Sequence, residues 1–306
     1  MPTVADQLNN YLMSNNISHF AFADEHNHDS GSGRFGGIAL ITMKRNDYKT
    51  VCNRVSDTFS QSKIRSEFKW AKTKQARQKD AAVGLIDLAV DMALEKLIRI
   101  DVISWDYNDS RHSIDDRDNI ANFHIMYYRL LSTALHKFWP DESVWIFYPD
   151  ETTCLDWNEV KSFVNTQSIK ISQPSLFNLV SMLKSYHIIK IKEVSSEISP
   201  VSQLADLFAG LIPYSRKCYS KYKVIEIDRQ GETLFKMSDV KIENSDYNRY
   251  EIIQRLLSRK EKQKLGISFE SSEGFRSLAP SQKYPLNFWW YEPQHEKDKA
   301  PIKKDR

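Results

Sequence analysis

The chain has 306 residues, 41% hydrophobic and 27% charged, with only 9 Gly and 10 Pro; it can bury a sizeable core, and collagen-like or broadly disordered chains are excluded. Its three cysteines, Cys52, Cys154 and Cys218, lie far apart without a Cys-x-x-Cys pair, which argues against a disulfide scaffold or a structural zinc site and for reduced thiols. Net charge is +3, yet residues 1–215 carry 23 basic and 26 acidic side chains, and the segment Lys63–Lys79 holds seven Lys/Arg against the single Glu67.

No run approaches 18 apolar residues, and Met1–Ser14 lacks the basic region and apolar stretch of a signal peptide. A cytoplasmic protein with no membrane partner is expected. After a helical lead-in (Val4–Met13), Phe20-Ala21-Phe22-Ala23-Asp24 reads as a strand ending in the polar Glu25–Gly33 loop. Phe35–Thr42 reads as a strand buried on both faces, hairpin-paired to the first, which sets Asp24 at a sheet rim. Residues 46–60 look helical, 64–70 fit either state, and Lys74–Ile98 is a long helix, apolar nearly all round in its centre and so expected deep in the fold.

Arg99–Trp105 is β-rich, and Asp118–Phe138 places Ile120, Phe123, Tyr127, Leu130, Ala134 and Phe138 on one helical stripe. Ser143–Tyr148 alternates as a strand, and the period of two puts Asp150, just past its end, on the side of Val144, Ile146 and Tyr148. Leu176–Tyr186 reads as a helix, Ile188–Val194 as a strand and Val201–Tyr214 as a helix opened by Pro200 or Ser202. The order predicts an α/β fold, a mixed sheet with helices on its faces, over residues 1–218. Residues 219–306 read as a basic α+β extension: a hairpin (Val224–Ile227 and Thr233–Met237, joined through Gln230-Gly231), a charged helix (Tyr247–Lys262) and an aromatic end, Phe288-Trp289-Trp290-Tyr291, docked on the body before a tail expected to be disordered.

No Walker loop, Gly-x-Gly-x-x-Gly, Gly-x-Ser-x-Gly or His-Glu-x-x-His is present. Four acidic residues stand out: Asp24 and Asp150 at strand ends, Glu67 within the basic segment, and Asp206, which shares a helix face with Gln203 and Gly210. Carboxylates gathered from four places repel unless cations sit among them. Oxygen-only ligands select Mg²⁺ or Mn²⁺, and a pair of such ions can activate water against a phosphodiester and stabilise the leaving oxygen. Asp24, Glu67, Asp150 and Asp206 are therefore the candidate catalytic and metal-ligating residues. Lys69, on the same side of an extended Glu-x-Lys as Glu67, is a candidate phosphate ligand, as are Lys72 and Lys74 in the basic segment. The other reading of that segment is a solvated helix face. His26 and His28 read as a proton shuttle beside the site or as solvated loop residues, and His124 and Arg129 as core or surface salt-link residues.

At these positions the sequence resembles the bacterial domain-of-unknown-function family 3800, whose members look like ribonuclease H-like proteins. Asp24-Glu25 resembles its opening Asp-Glu-Ser-Gly, Glu67-Phe68-Lys69 its Glu-x-Lys, Asp150-Glu151 its mid-chain strand-terminal Asp, and Gln203–Gly210 its Gln-x-Ala-Asp-x-x-Ala-Gly. The likeness spans roughly residues 18–215. It departs where His26-Asn27 replaces the Ser-Gly of the first motif. The resemblance implies a ribonuclease H-like fold with a two-metal site at Asp24, Glu67, Asp150 and Asp206. The function expected is a metal-dependent nuclease or phosphodiesterase acting on RNA, DNA or a hybrid, with the extension contacting nucleic acid or a protein partner. The alternative is a non-catalytic nucleic-acid-binding or protein-interaction module of a mobile-element or phage-defence system. A third reading makes Phe288–Tyr291 a protein contact, against packing on its own core.

Overall fold

The structure is a computed structural model that describes residues 17–27, 33–64, 66–109, 118–151, 155–171, 186–230, 242–278 and 283–292. Strands β1 (His19–His26), β2 (Phe35–Lys44) and β3 (Arg99–Asp106) form an antiparallel meander. β4 (Val144–Pro149) adds parallel to β1, β5 (His187–Ile191) parallel to β4, and β8 (Leu286–Trp290) parallel to β3, giving a six-stranded mixed sheet of order β5-β4-β1-β2-β3-β8. Two short strands, β6 (Ile267–Ser268) and β7 (Arg276–Ser277), pair separately. The α/β class expected from the sequence is what the chain adopts.

Helices cover both faces. On one side lie α1 (Tyr48–Gln61), α2 (Ala76–Leu94), α5 (Pro200–Lys217), α6 (Tyr219–Gln230) and α7 (Asn244–Gln263); on the other, α3 (Asn119–Lys137) and α4 (Trp157–Ile171). Alternation along β1 divides the core: Phe22 faces the α5 side, while Ala21 and Ala23 face α3. β2 is buried along nearly its whole length, which accounts for its unbroken apolar run. α5 packs directly on β1 and β2, whereas α2 lies against α1 and α7. α5 reaches the sheet closely because Gly37 carries no side chain; a Cβ there would stand 2.7 Å from the carbonyl oxygen of Ala209.

Several boundaries differ from the sequence reading. The cap of α5 is Ser199, whose side chain accepts from the Ser202 amide, with Pro200 in the first turn. Ile120 is 45% exposed, and Met126 and Leu131 complete the buried stripe of α3 instead. The expected strand Val224–Ile227 is helical, part of α6: Tyr222 and Ile225, three apart, bury in the α5-side core, where Tyr222 stacks on Tyr250 of α7. That packing outweighs the β-branched composition. Its hairpin partner Thr233–Met237, the helices expected at Val4–Met13 and Leu176–Tyr186, and the tail all lie outside the described residues. The aromatic end is β8: Phe288 and Trp290 are buried, and Trp289 and Tyr291 pack against the α3-side core. The extension beyond residue 218 thus shares its core with the first part of the chain.

Candidate functional site

β4 pairs with β1 only as far as Ala23 with Pro149, while β1 continues beside β2 to His26. Past Ala23 the β4 side of β1 opens. This is also where the chain order reverses across the sheet, the position at which open α/β sheets form a crevice. Asp24 stands at that opening, and Asp150 follows β4 with its amide donating to the Ala23 carbonyl at 2.9 Å and a bridge to Val194 beyond β5. Alternation aims both side chains toward α5, from which Asp206 projects.

α5 holds the segment 67–72 by its backbone. Gln203 accepts from the Phe68 amide (2.8 Å) and donates to the Ser196 carbonyl (2.8 Å). Asp206 Oδ2 accepts from the Trp70 amide at 2.6 Å. A Cβ on Gly210 would lie 2.0 Å from Trp70 Cδ1, so only glycine lets the indole rest on the helix. Gln78 of α2 accepts from the Lys69 amide (3.2 Å) and donates to the Glu67 carbonyl (3.1 Å). The face Gln203, Asp206, Gly210 seen in the sequence is therefore the seat of this segment, and at Gly210 the close neighbour is Trp70.

Glu67 and Lys69 share one side of the extended stretch, as the spacing predicts, and pair at 2.9 Å. Lys69 Nζ also donates to Ser196 Oγ (2.9 Å), which in turn donates to Glu67 Oε1. The Ser196 amide donates to Asp150 Oδ1 at 3.0 Å, and the Glu25 amide to Asp24 Oδ1 at 2.7 Å. Asp24 is 5% exposed, and among the described residues its Oδ2 has no hydrogen-bond partner. Among the described residues, no three Asp, Glu, His or Cys side chains stand together as a ready-made metal site.

The electrostatics bind these groups into one unit. Burial raises the pKa of Asp24 well above its ordinary value, and Asp206, Glu25 and Asp150 push it further against the pull of Lys69. Burial lifts Asp206 to about 6, opposed by the Trp70 amide and Lys69 and aided by Glu67 and Asp150. Asp150 is raised by burial in spite of Lys69 and the Ser196 amide. Burial opposes the charge on Lys69, but the hydrogen bond with Glu67 and the fields of Asp24 and Asp206 outweigh it and raise its pKa. Three carboxylates from remote parts of the sequence, with Glu67, thus share the field of Lys69.

Sequence reasoning missed Glu25, Ser196 and Gln78. Glu25 points the other way from Asp24, accepts from Tyr127 of α3 at 2.7 Å, and is raised by burial to about 7; its place in Asp24-Glu25 was the one local signal. Ser196 joins Glu67, Lys69 and Asp150, and nothing local marks it. His26 ends β1, where burial, with Arg249 and Lys217 nearby, lowers its pKa to about 4 and keeps it neutral; it is not a solvated loop residue. His28 lies outside the described residues. His124 Nε2 accepts from the Asp156 amide (3.1 Å), and Arg129 covers the Tyr291 ring. The basic segment is not a helix face: it runs through a turn at Lys63, the extended stretch, a 3-10 turn (Trp70–Lys72) and the start of α2, with Lys72 and Lys74 exposed.

Fold and site together define an α/β protein with a cluster of largely buried acidic residues at the carboxyl edge of β1 and β4. No family model matches the chain. It is 32% identical over 294 residues to the uncharacterized protein ORF2' of Methanothermobacter thermautotrophicus, spanning 93% of this chain and 98% of that protein. It is 31% identical over 296 residues to the uncharacterized protein ORF2 of the same organism, with the same shares covered. The chain belongs to the family of these ORF2 proteins. Among the described residues no helix is long and apolar enough to cross a membrane.

Proposed function

We propose that the chain is a divalent-metal-dependent nuclease or phosphodiesterase of ribonuclease H-like fold, related to the domain-of-unknown-function family 3800, with Asp24, Glu67, Asp150 and Asp206 as its centre. The observation that carries this reading is that Asp24 and Asp150, at the ends of β1 and β4, and Asp206 on α5 turn toward one space, with Asp24 Oδ2 buried and, among the described residues, without a hydrogen-bond partner. A buried carboxylate oxygen is as a rule paired. The donor set fits a hard cation: all four groups offer carboxylate oxygen, and among the described residues Lys69, paired with Glu67, is the cation whose field reaches the other three. Mg²⁺ or Mn²⁺ held there would polarise a phosphodiester and activate water against it. Loading requires the carboxylates to draw together from their present positions.

The residues of the chain have separate tasks in this scheme. The Trp70 amide orients Asp206, and the Ser196 amide orients Asp150. Lys69 offsets the negative charge and can turn its ammonium to a phosphate oxygen. Glu25, with its pKa about 7 and its link to Tyr127, can hold a proton near neutral pH at the rim of the site. A second reading, the non-catalytic nucleic-acid-binding or protein-interaction module, draws on the same Lys69, since an ammonium already stands where a cation is needed.

Calorimetric titration with Mn²⁺, paired with cleavage of labelled RNA, DNA and hybrid strands, separates the two. The wild-type chain is expected to bind Mn²⁺ and cut at least one substrate, and Asp206→Asn to lose both. A wild-type chain that neither binds Mn²⁺ nor cuts leaves the module reading.

A further inference from the structure

Beside Trp70 lies a cavity of about 250 Å³, lined by His26, Trp70, Lys74, Tyr214, Lys217 and Arg249 among others, and none of the described residues in its wall is acidic. Its cations come from three separate elements: Lys74 precedes α2, Lys217 closes α5 and Arg249 belongs to α7. Among the described residues no carboxylate lies within ion-pair distance of any of the three, whereas nearby on α2 and α7 Lys79 pairs with Glu251, Arg255 with Asp87 and Arg259 with Asp91. Arg249 is held in place. Its guanidinium lies 5.1 Å from the Trp70 ring centroid and 4.6 Å from that of Tyr214, and its Nε donates to Thr73 Oγ1 at 3.3 Å. The Asn248 side chain donates to the Lys74 carbonyl at 2.7 Å, tying α7 to the start of α2.

Bringing three uncompensated cations together costs repulsion, which an anion relieves. The rigid guanidinium supplies the planar fork suited to phosphate oxygens, and the two lysines supply mobile point charges. Because Arg249 covers both aromatic rings, base stacking is the weaker fit and phosphate the better one. Trp70 ties the cavity to the acidic cluster: it gives its amide to Asp206 and lines the cavity wall, where His26 stands two residues beyond Asp24.

We propose that this cavity is a phosphate pocket that grips a nucleic-acid strand next to the carboxylate crevice, fixing where along the strand the crevice sits. The proposal deepens the nuclease reading and rests on it for the identity of the strand, but binding can be measured without cleavage. The probe is a fluorescein-labelled 12-nucleotide single strand in EDTA, made with a 5′-phosphate, with a 3′-phosphate or with neither, and read by anisotropy across a salt series. Lys74→Gln with Lys217→Gln, both exposed positions, is expected to weaken binding about tenfold at low salt and to flatten the log–log salt slope by roughly 0.7 for each phosphate no longer neutralised. Arg249→Gln should do the same.

If only an end-phosphorylated strand shows the weakening, the pocket takes a terminal phosphate; if all three do, it takes one within the strand. Unchanged affinity and slope in both variants overturn the proposal, whatever the cleavage assays show. Pocket-dependent binding by a chain that cuts nothing would retain the pocket and remove the nuclease reading.

Discussion

Two buried acidic sites on this sheet differ in how their charge is answered. Asp101, fully buried on β3, receives Arg99 Nε on Oδ2 (2.9 Å), and Arg99 Nη2 and the Asn287 side chain on Oδ1 (both 3.1 Å). Arg99 also donates to the Tyr284 carbonyl and lies 3.5 Å from the Phe138 ring centroid. Burial raises the pKa of Asp101, and the arginine and asparagine oppose it. Burial raises Asp24 as well, but there other carboxylates add to the rise and one oxygen stays unanswered. Burial alone therefore does not mark a working site. What separates the two is whether the protein supplies the donors, as at Asp101, or leaves repulsion for something else to neutralise.

The comparison breaks first under matched substitutions. Asp24→Asn is expected to lower metal-dependent cleavage by roughly 10³-fold, about 4 kcal/mol of barrier, while the melting temperature holds or rises because repulsion is relieved. Asp101→Asn should do the reverse, leaving Arg99 buried without its carboxylate at a cost of about 3–5 kcal/mol and sparing activity in the fraction that stays folded. Thermal melts and initial rates on both variants test this. A destabilised Asp24→Asn, or an inactive but stable Asp101→Asn, would invert the assignment.

Gly210→Ala sharpens it with a smaller effect. The new methyl collides with the Trp70 indole, and overpacking of this kind costs about 1–3 kcal/mol. The strain should fall on the segment that carries Glu67 and Lys69, so Mn²⁺ affinity is expected to drop along with stability. A variant that loses stability but keeps its Mn²⁺ affinity would make the Trp70 seat a matter of packing alone.

Much of this was legible because local chemistry and tertiary role agreed. The strand runs of β1 and β2, the position of Asp150 after β4 and the Gln203–Gly210 face are all set by periodicity or by turns. The hairpin expected at 224–227 failed because Tyr222 and Ile225 answer to α7, which a single-segment reading does not contain. The same limit hid Ser196 and the cationic cavity: Lys74, Lys217 and Arg249 lie on separate elements and meet only through the fold. Asp101 was passed over because nothing in a β-rich stretch announces that Arg99 and Asn287 will reach it.

The smallest effect expected is in the pH dependence of stability without metal. Asp206 sits at about 6 in the folded chain against 3.8 when unfolded, so between those values the folded state holds the extra proton. Its contribution is fully present below pH 3.8 and is lost as pH rises through about 6. Asp24, Asp150 and Glu67 face the same space and Lys69 offsets them, so the carboxylates share protons and the loss spreads over the group rather than falling on Asp206 alone. His19 and His26, each lowered to about 4, work in the opposite sense, adding stability as pH rises toward 6.5. The wild-type curve alone therefore mixes two trends, and the informative quantity is its difference from Asp206→Asn, in which the histidine contribution cancels. Relative to wild type, the metal-free variant should gain a few degrees in melting temperature between pH 4 and pH 8, and saturating Mn²⁺ should erase the gain by stabilising only the wild type. A difference that stays flat with pH would mean that Asp206 carries no buried repulsion, and the contrast with Asp101 would collapse.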